Sequence, residues 1–178
     1  MLRTGAYLAL CCLALLSGGS ALAASVGPVT IAVPEGFDGQ ASRQLDGGLT
    51  VAWVKRRPGA QAGTLLQVST VDVGATLEQI RGPDRYEAAR HYLLEFVKGI
   101  GVRREHFQLG DVDRVTLAGL PAARVRWNGT VEDEPAIGVM YCVLVKHSVV
   151  SLHTQDGGSE ITPAMYSAIA AIDAIEVR

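Results

Sequence analysis

Cys142 and His153 are the two residues of this chain whose types could perform covalent chemistry together. If His147-Ser148 forms a two-residue turn, Lys146 pairs with Val149, and counting outward sets Cys142 directly opposite His153 on the neighbouring strand. Side chains at such a cross-strand pair are close enough to interact, and an imidazole that takes the thiol proton creates a nucleophile. The plainer reading is a buried thiol beside a strand-end histidine, because Cys142 lies within Ile137 to Val145, apolar at almost every position. A second constellation is the acidic run Glu132-Asp133-Glu134, joined by Asp111 and Asp113. Calcium requires several oxygen ligands, but this run lacks the spacing and the glycine of a calcium loop, and a solvated turn accounts for it more simply. His91, His106, His147 and His153 show no his-x-his or his-x-x-x-his spacing that would suggest zinc. His91 stands between Glu87 and Glu95, where pairing along a helix explains it. The gly-x-ser-x-gly elbow, the his-glu-x-x-his helix, the cys-x-x-cys pair and the phosphate-binding glycine loop are all absent. No cofactor is expected.

These side chains depend on the elements that carry them. Val29 to Val33 reads as a strand ended by Pro34-Glu35-Gly36, and Leu49 to Lys55 alternates, with Leu49, Val51, Trp53 and Lys55 on one side of a pleat. Leu65 to Val71 resumes the strand pattern after a turn-rich stretch, which suggests a hairpin. A helix follows Pro83, with Asp84 and Glu87 as an acidic capping box and Tyr86, Ala89, Leu93, Phe96, Val97 and Ile100 as the buried stripe. Gly99 and Gly101 are expected to end it. After a polar stretch, Val112 to Leu117, Ala123 to Trp127, Ala136 to Val145 and Val149 to Thr154 read as the strands of the main sheet. The third of these is apolar on both faces, as a central strand covered on both sides should be. Asn128-Gly129-Thr130 matches a glycosylation acceptor, although an asparagine-glycine turn is the simpler expectation. Thr162 and Pro163 give an N-cap and first position to a last helix striped by Met165, Ile169 and Ile172. Strands, helix, strands, helix without regular alternation predicts an α+β fold, a central antiparallel sheet flanked by helices in layers.

Residues 1–23 read as an export signal. Arg3 supplies a positive start, Ala6 to Leu16 carries no charge, and Ala21-Leu22-Ala23 places small residues where a signal peptidase reads. The run is shorter than the roughly 20 residues a spanning helix requires, so cleavage before Ala24 is expected, with no permanent membrane span afterwards. Residues 24–178 then form one domain. Its removal takes one basic residue, Arg3, and shifts the formal charge from −2 to −3. So weak a balance gives no electrostatic reason to expect nucleic acid or an anionic membrane as partner. Of the 3 cysteines only Cys142 lies outside the signal, so an internal disulfide cannot form in an oxidising compartment.

The order of these elements resembles the PsbP-like family, which includes the extrinsic photosystem subunit, a nuclear Ran-binding factor and many exported bacterial proteins of unknown role. The resemblance is carried by Val33-Pro34-Glu35-Gly36-Phe37, the helix from Asp84, the corner Leu117-Ala118-Gly119-Leu120-Pro121-Ala122-Ala123, the hairpin from Tyr141 to Leu152 and the helix from Pro163. It implies a central antiparallel sheet between helical layers, and a binding or assembly role in place of catalysis. No site residue carries over, because the family shares a framework and not an active-site motif. The expectation is an exported, non-catalytic accessory protein that binds an envelope protein partner. The alternatives are a hydrolase using Cys142 and His153, or a carrier of a small apolar ligand between sheet and helix.

Overall fold

The computed structural model describes residues 22–59 and 63–178. The signal reading therefore lies outside the described residues except for Leu22 and Ala23, which open the first strand. Two antiparallel sheets are formed. The smaller contains β1 (Leu22–Val26), β2 (Val29–Val33) and β10 (Glu176–Val177), with β2 in the middle. The larger contains β3 (Asp38–Leu45), β4 (Gly48–Lys55), β5 (Thr64–Asp72), β6 (Glu105–Leu117), β7 (Leu120–Val131), β8 (Glu134–Val145) and β9 (Ser148–Gly157). Its order is β3-β4-β5-β9-β8-β7-β6, so two meanders, before and after the helix α1 (Pro83–Gly101), are joined where β5 meets β9.

Each face of the large sheet carries its own core. On one, Trp53, Leu66, Tyr141 and Leu152 pack with Ile31 of the small sheet and with Met165 and Ile172 of α2 (Pro163–Asp173). On the other, Ala89, Leu93 and Val97 of α1 pack onto Val125, Met140, Cys142 and Leu144. This double cover is why β8 is apolar at successive positions: a strand with packing on both sides has no wet face to alternate with. The α+β layout with a central antiparallel sheet is as expected, but one face is covered by a second sheet together with α2, and not by helix alone.

Local chemistry explains the helix ends. Thr162 accepts from the Met165 amide at 3.3 Å and Pro163 follows at the first helical position, as expected. The start of α1 differs. Gly82 precedes it at φ 54, Pro83 takes the first position, and Asp84 lies inside the first turn without capping by a side-chain hydrogen bond. Proline fits there because the missing N–H is one the helix leaves unpaired, and the Asp84 carboxylate still complements the positive end of the helix. Nor does Gly99 stop the helix; it continues to Gly101 and closes through amide bonds from Val102 to Lys98 and from Arg103 to Ile100. Gly101 serves close packing, since a Cβ there would lie 3.0 Å from the Phe107 ring.

Strands β3 and the first half of β6 were not legible as strands because they are the two edges of the large sheet, largely exposed, and each contains register shifts. An edge strand without a buried face carries no period-2 signal, and its bulges blunt pairing with other chains. Asn128-Gly129 lies inside β7 and forms no turn. The turn after β7 is Glu132-Asp133 instead, both residues at positive φ.

Gly138 faces Trp127 across the β7–β8 pair, and a Cβ at Gly138 would lie 2.3 Å from two carbons of the indole. The indole is in contact with Phe107, His153 and Arg104, so moving it disturbs all three. Gly138→Ala is expected to destabilise by about 1–3 kcal/mol or more, as overpacking does. Gly99→Ala, in a helical position with open space around it, should stabilise by about 0.5–1 kcal/mol. Thermal melts of the two variants should move in opposite directions.

Candidate functional site

The β8–β9 turn decides the fate of the thiol and imidazole. Lys146 takes φ 51 and the turn is Lys146-His147, so Val145 pairs with Ser148 instead of Lys146 with Val149. Moving the turn by one residue shifts every pairing by two. Cys142 therefore stands opposite Ser151, and His153 opposite Met140. The two side chains share a face but are diagonal neighbours, about 7–8 Å apart by the usual strand geometry. Cys142 is fully buried beneath α1, and burial pushes its thiol well above the ordinary range. The expected dyad is not formed.

A different grouping appears on the same face. Residues in register across β4, β5, β9, β8 and β7 form one row, Ala52, Gln67, His153, Met140 and Val125, and a second row, Thr50, Ser69, Ser151, Cys142 and Ala123. Under α1 the rows are apolar, and beyond the helix's edge they carry Gln67 and His153 in the first and Thr50, Ser69 and Ser151 in the second. The uncovered part forms the floor of a cleft of about 510 Å³ in which Gln67, Ser69 and Ser151 are flanked by the apolar Leu65 and Val71, with Phe96 and Ile100 of α1 as one wall and Arg103 and Arg104 at the rim. Along the floor, Thr50 and Ser69 hydroxyls lie 2.9 Å apart and the Gln67 amide donates to Ser69 Oγ at 3.1 Å.

Arg104 occupies the inner end of this rim. Its guanidinium lies 4.4 Å from the centre of the Trp127 ring, and its Nη1 donates to the Ile100 carbonyl at 2.9 Å, a second donor to a carbonyl that also accepts from the Arg103 amide. Its Nη2 donates to Gln155 Oε1 at 2.5 Å. Trp127 in turn contacts the rings of Phe107 and His153, with centroids 5.8 and 5.7 Å away. His153 is 4% exposed, and its imidazole is held neutral with a pKa lowered to about 3, by burial first and by the Arg104 charge second. Burial followed by the Arg103 charge also lowers the Arg104 pKa. Among the described residues, His153 Nε2 and Arg104 Nε are buried with no hydrogen-bond partner.

The other singled-out residues are dispersed. Glu132, Asp133 and Glu134 lie exposed at the β7–β8 tip. Asp113 pairs with Arg124 at 2.7 Å, and Asp111 is exposed on β6. His91 is exposed on α1 against Tyr92, His106 is exposed at a β6 bulge with φ 49, and His147 sits in the β8–β9 turn. Among the described residues, no three His, Cys, Asp or Glu side chains are grouped as a metal would require. The sequence reading missed Gln67, Ser151, Gln155, Arg103 and Arg104. Polar residues alternating into an otherwise apolar strand, as at Gln67, Ser69, Ser151 and His153, were the available signal.

Sequence reading also missed Asp156, fully buried where β9 ends. Its Oδ1 accepts from Thr64 Oγ1 at 2.8 Å and Arg57 Nη2 at 3.2 Å, and its Oδ2 accepts from the Thr162 amide at 3.3 Å and the Thr162 hydroxyl. One carboxylate thus joins the start of β5, the end of β9 and the cap of α2. It is a structural lock away from the cleft lining.

No family model matches the sequence, and no curated protein matches it. Solved structures similar to this chain include a protein of unknown function, PA94, from Pseudomonas aeruginosa, with 11% identity, a TM-score of 0.48 and coverage of 88% of this chain and 96% of the other. LpqN of Mycobacterium tuberculosis, involved in cell envelope biogenesis, is 16% identical with a TM-score of 0.47, covering 84% of this chain and 82% of its own. The cyanobacterial PsbP of Synechocystis sp. PCC 6803 is 9% identical with a TM-score of 0.49, covering 85% and 87%. PsbP, which gives its name to the family that the sequence resembles, is among these neighbours.

Proposed function

We propose that the chain is an exported binding or envelope-assembly accessory domain that acts without turnover. The observation that carries this reading is the chemical quietness of the groups that could have reacted. Cys142 is buried with a raised pKa and faces Ser151, while His153 is neutral and has no carboxylate among its charged neighbours. A nucleophile needs a base in reach and the base needs an orienting group. The charged signal start and the small residues before Ala24 support export. Among the described residues, no helix is long and apolar enough to cross a membrane. Gln67, Ser69 and Ser151 on the mixed cleft floor weigh against a carrier built for a wholly apolar ligand.

The partner is proposed to be an envelope protein, and immobilised chain should retain one from envelope extract reproducibly. Failure to retain any, together with ester or thioester hydrolysis abolished by Cys142→Ala, would establish the enzyme reading instead. A further expected result concerns the thiol. In the folded protein Cys142 should resist a disulfide reagent and react stoichiometrically only after denaturant is added, because the thiolate is the reactive form and burial suppresses it.

A further inference from the structure

We infer that the cleft between β5, β9 and the end of α1 binds a small amphiphilic monocarboxylate, its head group beside Arg104 and Arg103 and its apolar part along Phe96 and Ile100. This rests on the binding reading above and gives it a ligand class. The first support is unbalanced charge. Lys98, one turn earlier on α1, is paired with Glu95, whereas among the described residues Arg103 and Arg104 make no ion pair. Both guanidinium groups line the cleft, and no carboxylate does. An anion placed between them would offset their charge, while a cation would add to it.

The second support is geometric. Arg104 is already oriented by the Ile100 carbonyl, Gln155 and the Trp127 ring, and of its five N–H groups Nε and one on each Nη are left over. A donor held in place before binding loses little freedom when its acceptor arrives. His153 Nε2 is also without a partner, at a cleft whose floor supplies neutral Gln67, Ser69 and Ser151. Buried polar atoms are seldom left unpaired, and of the five among the described residues three, His153 Nε2, Arg104 Nε and Trp127 Nε1, are grouped beside this cleft, while Trp53 Nε1 and Tyr141 OH lie in the other core. A single inner guanidinium matches a monoanion. The apolar wall from α1 matches an alkyl portion, and about 510 Å³ is within the usual range for a small-molecule site.

The test titrates the exported chain with octanoate, octylamine and octanol at constant ionic strength, by calorimetry and by tryptophan fluorescence, since Trp127 lies under Arg104. Octanoate should bind saturably at one site with a Kd of about 0.1 mM or tighter, and octylamine and octanol at least tenfold more weakly. Arg104→Gln should weaken octanoate about tenfold or more, as loss of a charge-assisted hydrogen bond does. Because Arg104 also packs on Trp127, Arg103→Gln provides a variant at an exposed position, expected to fold normally and to weaken octanoate severalfold. No saturable octanoate binding, octanol binding as tight as octanoate, or unchanged octanoate affinity in folded Arg103→Gln would each overturn the inference. A chain that retains its envelope partner but ignores octanoate overturns the ligand and leaves the binding role standing. One that binds octanoate but retains no protein overturns the protein-partner role and leaves the ligand standing.

Discussion

Replacing Asp156 with alanine is expected to destabilise the fold by about 3–5 kcal/mol, the usual consequence of removing one member of a buried charged network. For a chain of this size that corresponds to roughly 10 °C in melting temperature. The reason lies in what remains. Thr64, Thr162 and Arg57 all donate to this one fully buried carboxylate, and alanine leaves the hydroxyls and the Thr162 amide facing an empty space. The cost is dominated by those groups and not by the ion pair, because the Arg57 side chain is 42% exposed. Arg57→Ala should therefore cost less, about 1–2 kcal/mol, because its cation is partly solvated although the carboxylate it pairs with is not. Asp156→Asn should fall between the two, retaining one acceptor oxygen but turning an amide donor toward other donors. Thermal or urea melts of the three variants provide the comparison. Equal losses for Arg57→Ala and Asp156→Ala would show that the ion pair, and not the hydroxyl network, carries the lock.

Acid should expose the second large effect. The folded pKa of His153 is lowered to about 3, from an ordinary value of 6.5. Between those values the unfolded chain takes up a proton at this residue and the folded chain does not, so stability rises with pH across that window. The contribution is complete above pH 6.5 and declines as pH falls, reaching about 3 kcal/mol lost near pH 4.5 and up to about 5 kcal/mol near pH 3. The groups facing the ring are Gln67 and Met140 in register, the Trp127 ring and the charged Arg104. None offers a carboxylate to a protonated imidazole. His153→Gln should flatten the acid limb: its urea midpoint should change less than the wild type's between pH 7 and pH 4.5. Carboxylates common to both proteins affect both curves and cancel in the difference. Parallel pH profiles would mean that His153 opens to water before it titrates.

These two residues also show how far the chain could be read. His153 was singled out, but for a partnership with Cys142 that the turn at Lys146 does not allow. Asp156 went unnoticed, because nothing near it in sequence indicates that Thr64 will lie beside it. The cleft was illegible for the same reason. Gln67 and His153 meet only because two separate meanders join at β5 and β9. Arg104 lies beyond the end of a helix, in a stretch without periodic pattern, so its place over Trp127 could not be derived from spacing.

By itself the sequence determined the local matters: the pleat of Leu49 to Lys55, the doubly buried run at Ala136 to Val145 and the Thr162-Pro163 start of α2. Each depends on periodicity or on a few neighbouring residues, and such signals survive wherever a face is consistently dry or wet. The tertiary structure alone decided the register after Lys146, the second sheet over one face and the cleft beside α1. A one-residue change in a turn moves every pairing by two, and a helix that covers half of a sheet face leaves the other half open. Neither consequence is local, so neither could be present in the pattern of any single segment.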